Sequence, residues 1–392
     1  INIEPAAGSA ILLDGTISID AGVVTGATSI TSTAFVGALT GNVAGNLTGT
    51  VATAAQNSIT TATGLVTVGA SGTASSIAGI PFFSADNSIY THDVSGTDST
   101  AEQNAAYGIG AMDAITTGDF NTAVGWYALG ATTTGENNVA IGGGAGKSNT
   151  TGARNIAIGM DAYDASDTEN DNIAIGHNAM TTNTAGGTKN VALGNYALDA
   201  LTSGDSNVMI GHNAGTATTT AYQSVGVGEN ALAGQTASYM NVAVGFNASA
   251  VSTTAAGNTM IGFQAGLATT TGSYNTGLGC RALQAHTTGV NNTAVGLESL
   301  IALTTGTQNT AVGHQSMLAN TTGALNVAVG QYALKANNAS DNTAVGASAL
   351  AANTTGVRNT AVGKGSLATN TTTDDNTAVG YQALAVTVGI EN

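Results

Sequence analysis

One 17-residue pattern recurs through most of this sequence. Its 17 units begin at residues 104, 121, 138, 155, 172, 190, 207, 224, 241, 258, 275, 292, 309, 326, 342, 359 and 376, so that one unit has 18 residues and one has 16. The consensus is N-[TV]-A-[VI]-G-x-x-A-L-x-A-x-T-T-G-x-x, and the fifth position is glycine in every unit. So short a period excludes an ordinary globular domain, because each unit must bury its apolar residues against its neighbours.

The length and composition of the unit predict an all-β fold, a β-solenoid in the form of a parallel β-roll. Seventeen residues suit one coil, whereas glycine at the fifth position and β-branched residues at the second and fourth disfavour a helix. We expect strands at the first to fifth and the seventh to eleventh positions, with Thr-Thr-Gly forming a turn through a glycine of positive φ. At ~4.8 Å per rung, the repeats would form a rod about 80 Å long.

The repeat also predicts a homo-oligomer. Successive side chains of a strand point to opposite faces, so the alanine at the third position and the valine or isoleucine at the fourth cannot share one core. The same conflict arises at the eighth and ninth positions, as in Ala128 and Leu129. A lone solenoid would therefore expose an apolar stripe that soluble monomers rarely tolerate. A homotrimer removes the stripe, because a closed ring hides the same row on every chain.

The first position of the repeat is asparagine in every unit except the one that begins at Ser224. Stacked strands allow such side-chain amides to bond from rung to rung, and the alternative is that asparagine serves only the turn geometry. The predicted ladder residues are Asn121, Asn138, Asn155, Asn172, Asn309, Asn326, Asn342 and Asn359.

The residues before the repeats differ in pattern. Residues 35–51 read FVGALTGNVAGNLTGTV, in which apolar residues and glycines each recur every fourth residue. On an extended chain the two series alternate along one face, which is typical of a thin intertwined fibre. We predict an extended glycine-rich β shaft at 1–80, a neck at 81–103 and the β-roll at 104–392.

Charge and cysteine content narrow the partners. The chain has 23 acidic and 7 basic residues, a net charge of −16, so we expect no nucleic-acid partner, because phosphates would be repelled. No run of 18 apolar residues occurs, so we expect no membrane insertion. The single cysteine, Cys280, excludes an internal disulfide framework and a cysteine-based zinc site.

Two groups of side chains are candidates for a metal site. The stretch MDAYDASDTEND could hold Ca²⁺ through carboxylates, and a solvated turn is the alternative. Its candidate ligands are Asp161, Asp164, Asp167, Glu169 and Asp171. His177 and His212 share the sixth position of their repeats but lie two rungs apart, about 10 Å, which is too far for one ion. No cofactor is expected.

No catalytic residues are predicted. The sequence contains no G-x-S-x-G or H-E-x-x-H motif, and the period changes by one residue at most, which leaves no insertion that could form a catalytic pocket. The bend at the sixth and seventh positions carries aromatic residues, among them Trp126, Tyr127, Phe246 and Phe263. These rings could stack on sugars, and packing between chains is the alternative.

Repeats 121–137, 309–325 and 342–358 resemble those of trimeric surface fibres related to the YadA-like heads of trimeric autotransporter adhesins. The resemblance covers about three quarters of the chain and implies a trimeric, left-handed parallel β-roll whose NTAVG strand faces the trimer axis. YadA-like heads usually have a shorter repeat. Residues 32–56 resemble the shaft of phage tail fibres.

These patterns indicate an extracellular fibre that attaches to a host or surface receptor, of glycan or protein. A phage tail fibre is the first expectation, and a bacterial trimeric adhesin or surface filament is the second. An ice-binding solenoid is a minor alternative, since threonine recurs at the second position in Thr259, Thr276 and Thr293, although valine replaces it in many repeats. A glycan-cleaving tail spike is the other minor alternative.

Overall fold

The computed structural model describes residues 75–77, 80–85, 88–90, 100–183 and 186–386. The chain divides into two compact units, Ile1–Gly64 and Leu65–Asn392, and all described residues belong to the second. The predicted shaft at 1–80 therefore lies outside the described residues, except for 75–77 and Ile80.

All of the regular secondary structure in these described ranges is β-strand. The strands are β1 Ser75–Ile77, β2 Ile80–Ala85, β3 Ser88–Tyr90, β4 Ala105–Tyr107, β5 Thr122–Val124, β6 Val139–Ile141, β7 Ile156–Ile158, β8 Ile173–Ile175, β9 Val191–Leu193, β10 Val208–Ile210, β11 Val225–Val227, β12 Val242–Val244, β13 Thr259–Ile261, β14 Thr276–Leu278, β15 Thr293–Val295, β16 Thr310–Val312, β17 Val327–Val329, β18 Thr343–Val345, β19 Thr360–Val362 and β20 Thr377–Val379.

Strands β3 to β20 form a parallel sheet in chain order, each paired with the next. Identical repeat positions pair, as in Thr122 with Val139, even across the repeats of 18 and 16 residues. Strands β1, β2 and β3 are antiparallel neighbours. The predicted β-solenoid with a period of about 17 residues is thus confirmed.

Within each repeat strand, only the middle residue enters the core. In β5, Ala123 is fully buried, whereas Val124 is 39% exposed. The alternation follows from the pleat of a strand, which points neighbouring side chains to opposite sides. The alanine row therefore lines the interior, and the branched apolar row faces outward.

The second predicted strand, at the seventh to eleventh positions, is wrong. This segment is a run of turns in which Tyr127 and Leu129 have left-handed φ of 51° and 49°. Ala128 between them is not left-handed, and this alternation turns both Ala128 and Leu129 into the core, where they are 0% and 2% exposed. The backbone still bonds between rungs, since the Leu129 N–H donates to the Ala145 carbonyl at 3.0 Å. The second exposed apolar row therefore does not exist.

The predicted reason for glycine at the fifteenth position is also wrong. Positive φ occurs instead at the seventeenth position, as in Phe120 with φ of 59°. Gly118 is needed for close stacking, because a Cβ there would lie 2.2 Å from the carbonyl oxygen of Gly135 on the next rung.

Candidate binding surface

The outward side of the parallel sheet is apolar from β5 to β20. The third residue of each of these strands is Val, Ile or Leu, and the first is Thr, Val or Ile. Both point away from the core. Ile141 is 41% exposed and Leu278 is 44% exposed. We call these two rows the strand face, and its side chains offer packing rather than chemistry.

The asparagines at the first position form a buried column inside the solenoid. The backbone N–H and the Nδ2 of Asn138 both donate to Oδ1 of Asn121, at 2.9 and 3.1 Å, and Nδ2 also donates to the Gly152 carbonyl at 2.8 Å. Ser224 continues the column, since its Oγ accepts the N–H of Asn241 at 3.3 Å. The same bond from backbone N–H to the preceding Oδ1 occurs at Asn121, Asn155, Asn172, Asn309, Asn326, Asn342 and Asn359. Each asparagine thus bonds to a neighbouring rung and also holds a turn.

The candidate calcium ligands are distributed rather than gathered. Glu169 is buried, and its carboxylate accepts the backbone N–H groups of Asp167, Thr168 and Gly186. These bonds account for a buried carboxylate without a metal ion.

Two other carboxylates of this group have separate surroundings. Asp171 is bound by Arg154 at 2.6 and 3.0 Å, which holds the pKa of its carboxyl below the usual value. Burial raises the pKa of Asp164. Among the described residues, no three His, Cys, Asp or Glu side chains are placed to hold one metal ion.

The histidines occupy two environments. At the bend, the rings of His177 and His212 lie on either side of Tyr196, at centroid distances of 5.3 and 6.1 Å. At the twelfth position, His286 is fully buried and its Nδ1 lies 3.2 Å from Thr269 Oγ1. Burial lowers the pKa of His286 to about 4, so its ring is neutral at neutral pH.

The aromatic residues predicted at the bend are exposed. Trp126 is 57% exposed and contacts Tyr127 edge to face, with ring centroids 4.8 Å apart. Phe246 and Phe263 stack on adjacent rungs at 5.6 Å, with 11° between their planes. Each pair leaves ring surface open to solvent.

A further aromatic surface was not selected from the sequence. Tyr222 and Tyr239 stack at 5.2 Å with 8° between their planes, and a hydrogen bond with Tyr274 raises the pKa of Tyr239. We call these three residues the tyrosine cluster. The available signal was the 17-residue separation of Tyr222 and Tyr239, which places both at the sixteenth position of adjacent repeats.

No protein-family model, curated protein or solved structure was found to match this chain. Within the ranges that the structure describes, no helix has the length and apolarity to cross a bilayer. The strand face and the exposed aromatic rings are therefore the features on which a functional argument depends.

Proposed function

We propose that the chain is one subunit of an extracellular homotrimeric fibre that attaches to a surface and has no enzymatic activity. In this assembly the strand faces of three copies pack together around the trimer axis. The exposed edges of the solenoid remain available for a receptor.

The strand face is the observation that carries the proposal. Its branched side chains continue without a polar interruption at the third strand residue from β5 to β20, a length of about 70 Å at ~4.8 Å per rung. Such a column supplies on the order of 1,000 Å² per chain, which is the size of a specific protein interface. Soluble monomers rarely expose so large an apolar patch.

The resemblance of the repeats to trimeric surface fibres supports a threefold assembly. The resemblance of residues 32–56 to tail-fibre shafts favours a phage tail fibre over a bacterial trimeric adhesin, which is the second candidate. The even period supports the non-enzymatic role, because no inserted loop interrupts residues 104–392 to form a substrate pocket.

Sedimentation of the full chain under native conditions tests the assembly, with an expected mass of three chains. The combined substitutions Val295→Glu, Val312→Glu and Val329→Glu would bury carboxylates in the interface, and we expect them to produce monomers. The control places the same charges on adjacent rungs at exposed Thr288, Thr305 and Thr322, and it should remain trimeric.

A stable folded wild-type monomer would contradict the trimer. Electron microscopy of virions and of bacterial cells, with the chain labelled, tests the location. Label on projecting fibres supports the proposal, and label confined to the cell interior contradicts it.

A further inference from the structure

We propose that the tyrosine cluster is a binding site for a neutral saccharide chain. The inference rests on the proposed attachment function, to which it adds the chemical class of the ligand and the residues that contact it.

The three rings form one continuous surface. Tyr222 and Tyr239 are parallel neighbours, and Tyr239 is joined to Tyr274 by a hydrogen bond. Tyr274 lies over Gly257, where a Cβ would be 2.8 Å from its Cδ1 and 3.0 Å from its Cε1. Glycine at this place thus leaves the space that the ring fills. The cluster extends over four consecutive repeats, about 15 Å at ~4.8 Å per rung, which is long enough for several sugar units.

The backbone beneath the rings is held in place. The Met240 N–H donates to the Tyr222 carbonyl, the Gly257 N–H to the Tyr239 carbonyl at 3.1 Å, and the Tyr274 N–H to the Ala256 carbonyl at 2.9 Å. Tyrosine has few rotatable bonds, so a ligand that binds here has little side-chain motion to freeze.

The exposed surface suits the two kinds of contact that a sugar ring makes. Tyr222 is 43% exposed and Tyr274 is 57% exposed. The face of an aromatic ring carries partial negative charge and attracts the C–H groups on one face of a pyranose. The phenol hydroxyls can both donate hydrogen bonds to sugar hydroxyls and accept them.

The charge pattern along this edge of the solenoid favours an uncharged ligand. From residue 222 to residue 340, the sixteenth and seventeenth positions carry no charged side chain. Elsewhere on the same edge these positions hold ion pairs, Arg154 with Asp171 and Arg358 with Asp375. The net charge of −16 disfavours anionic polysaccharides.

Isothermal titration calorimetry of the full chain tests the site. The probes are three neutral hexasaccharides, cellohexaose, maltohexaose and mannohexaose, with hexagalacturonate as the anionic comparison. The variant combines Tyr222→Ser, Tyr239→Ser and Tyr274→Asn. Ser273 and Asn291 occupy the same repeat positions in the wild type, so the backbone is expected to keep its fold. The control variant, Phe246→Ala with Phe263→Ala, follows Ala347 at the sixth position.

We expect at least one neutral hexasaccharide to bind with a millimolar or lower Kd. The tyrosine variant should weaken that binding by about tenfold or more, and the phenylalanine control should not change it. No binding to any neutral probe, equal binding by the tyrosine variant, or equal binding of hexagalacturonate would overturn the inference.

Sedimentation of the same variants separates this site from the assembly. If the tyrosine variant loses the trimer, the tyrosines pack between copies of the chain and the inference is wrong. If the wild type is a monomer but the tyrosines still govern saccharide binding, the site stands and the proposed trimer fails.

Discussion

The glycine at the fifth position of each repeat is required for two independent reasons. Gly296 has φ of +133°, a conformation that is strained for any residue with a Cβ. A Cβ there would also lie 2.6 Å from the carbonyl oxygen of Gly313 on the next rung. Both constraints act on the backbone, which neighbouring side chains cannot relieve.

We therefore expect Gly296→Ala to lower the free energy of unfolding by about 3 kcal/mol, through strain together with a backbone clash. The matched control is Gly143→Ala, since a Cβ at Gly143 meets no atom within 4 Å. Urea denaturation followed by circular dichroism measures both. Equal midpoints for the two variants would show that the fifth position tolerates a side chain.

The buried ring of His286 makes stability depend on pH. Its folded pKa of about 4 lies below the unfolded value of about 6.5. The unfolded chain therefore takes up the proton first as the pH falls. The stability that the neutral ring contributes is present above about pH 6.5 and is lost as the pH falls towards 4, a total on the order of 3 kcal/mol.

His286→Leu removes this titration, and Leu303 occupies the same position in the next repeat. We expect the variant to lose less stability than the wild type between pH 7 and pH 4, by on the order of 3 kcal/mol in urea denaturation. Comparison of the two proteins cancels the carboxylates they share. A parallel decline of both would contradict the assignment.

At the scale of one coil, neighbouring positions exchange core volume. Most repeats have alanine at the third position and leucine at the ninth, whereas one has Met209 and Gly215. A Cβ at Gly215 would lie 3.0 Å from Cγ of Met209, and one at Gly226 on the next rung would lie 2.5 Å from its Sδ. The methionine therefore fills the space that both glycines leave.

We expect Met209→Ala alone to cost about 2–4 kcal/mol, because it opens a cavity. Adding Gly215→Leu restores the consensus pair and should regain more than half of that loss, since the two sites share one space. Thermal denaturation of the two single variants and the double variant measures the coupling. Additive effects would mean that the two residues do not fill a common volume.

The first strand of the coil could be predicted, because β-branched residues flank an alanine in nearly every repeat. The turn segment could not be derived from apolar spacing alone, since Ala128 and Leu129 share a face only through alternating φ. A signal was present: Gly146 and Gly215 take the ninth position that leucine holds elsewhere, as expected where φ is positive. Of the aromatic surface, the Phe246 and Phe263 stack followed from rung spacing.

At the scale of the whole solenoid, each strand from β4 to β20 pairs only with its neighbours in the chain. Stability in such an array is approximately a sum of repeat and interface contributions. No long-range contact ties a particular repeat to a distant one. The number of repeats can therefore change without a change of fold.

We expect deletion of residues 309–325 to leave a folded protein that is shorter by ~4.8 Å in X-ray scattering. The control deletes Ala311 alone, which moves Val312 into the inward slot of β16 and should lower the melting temperature more. If removal of the whole repeat is the more damaging change, the rungs are not equivalent.

The common register of the rungs has a consequence for heredity. Any two copies of the repeat are near-identical in sequence and in phase, so recombination between misaligned copies of the gene would add or remove whole coils in frame. Descendant chains would differ in reach, while their outward valines and buried asparagines stayed aligned. A lineage could thus adjust the distance it spans in a single event, without passing through an unfolded intermediate sequence.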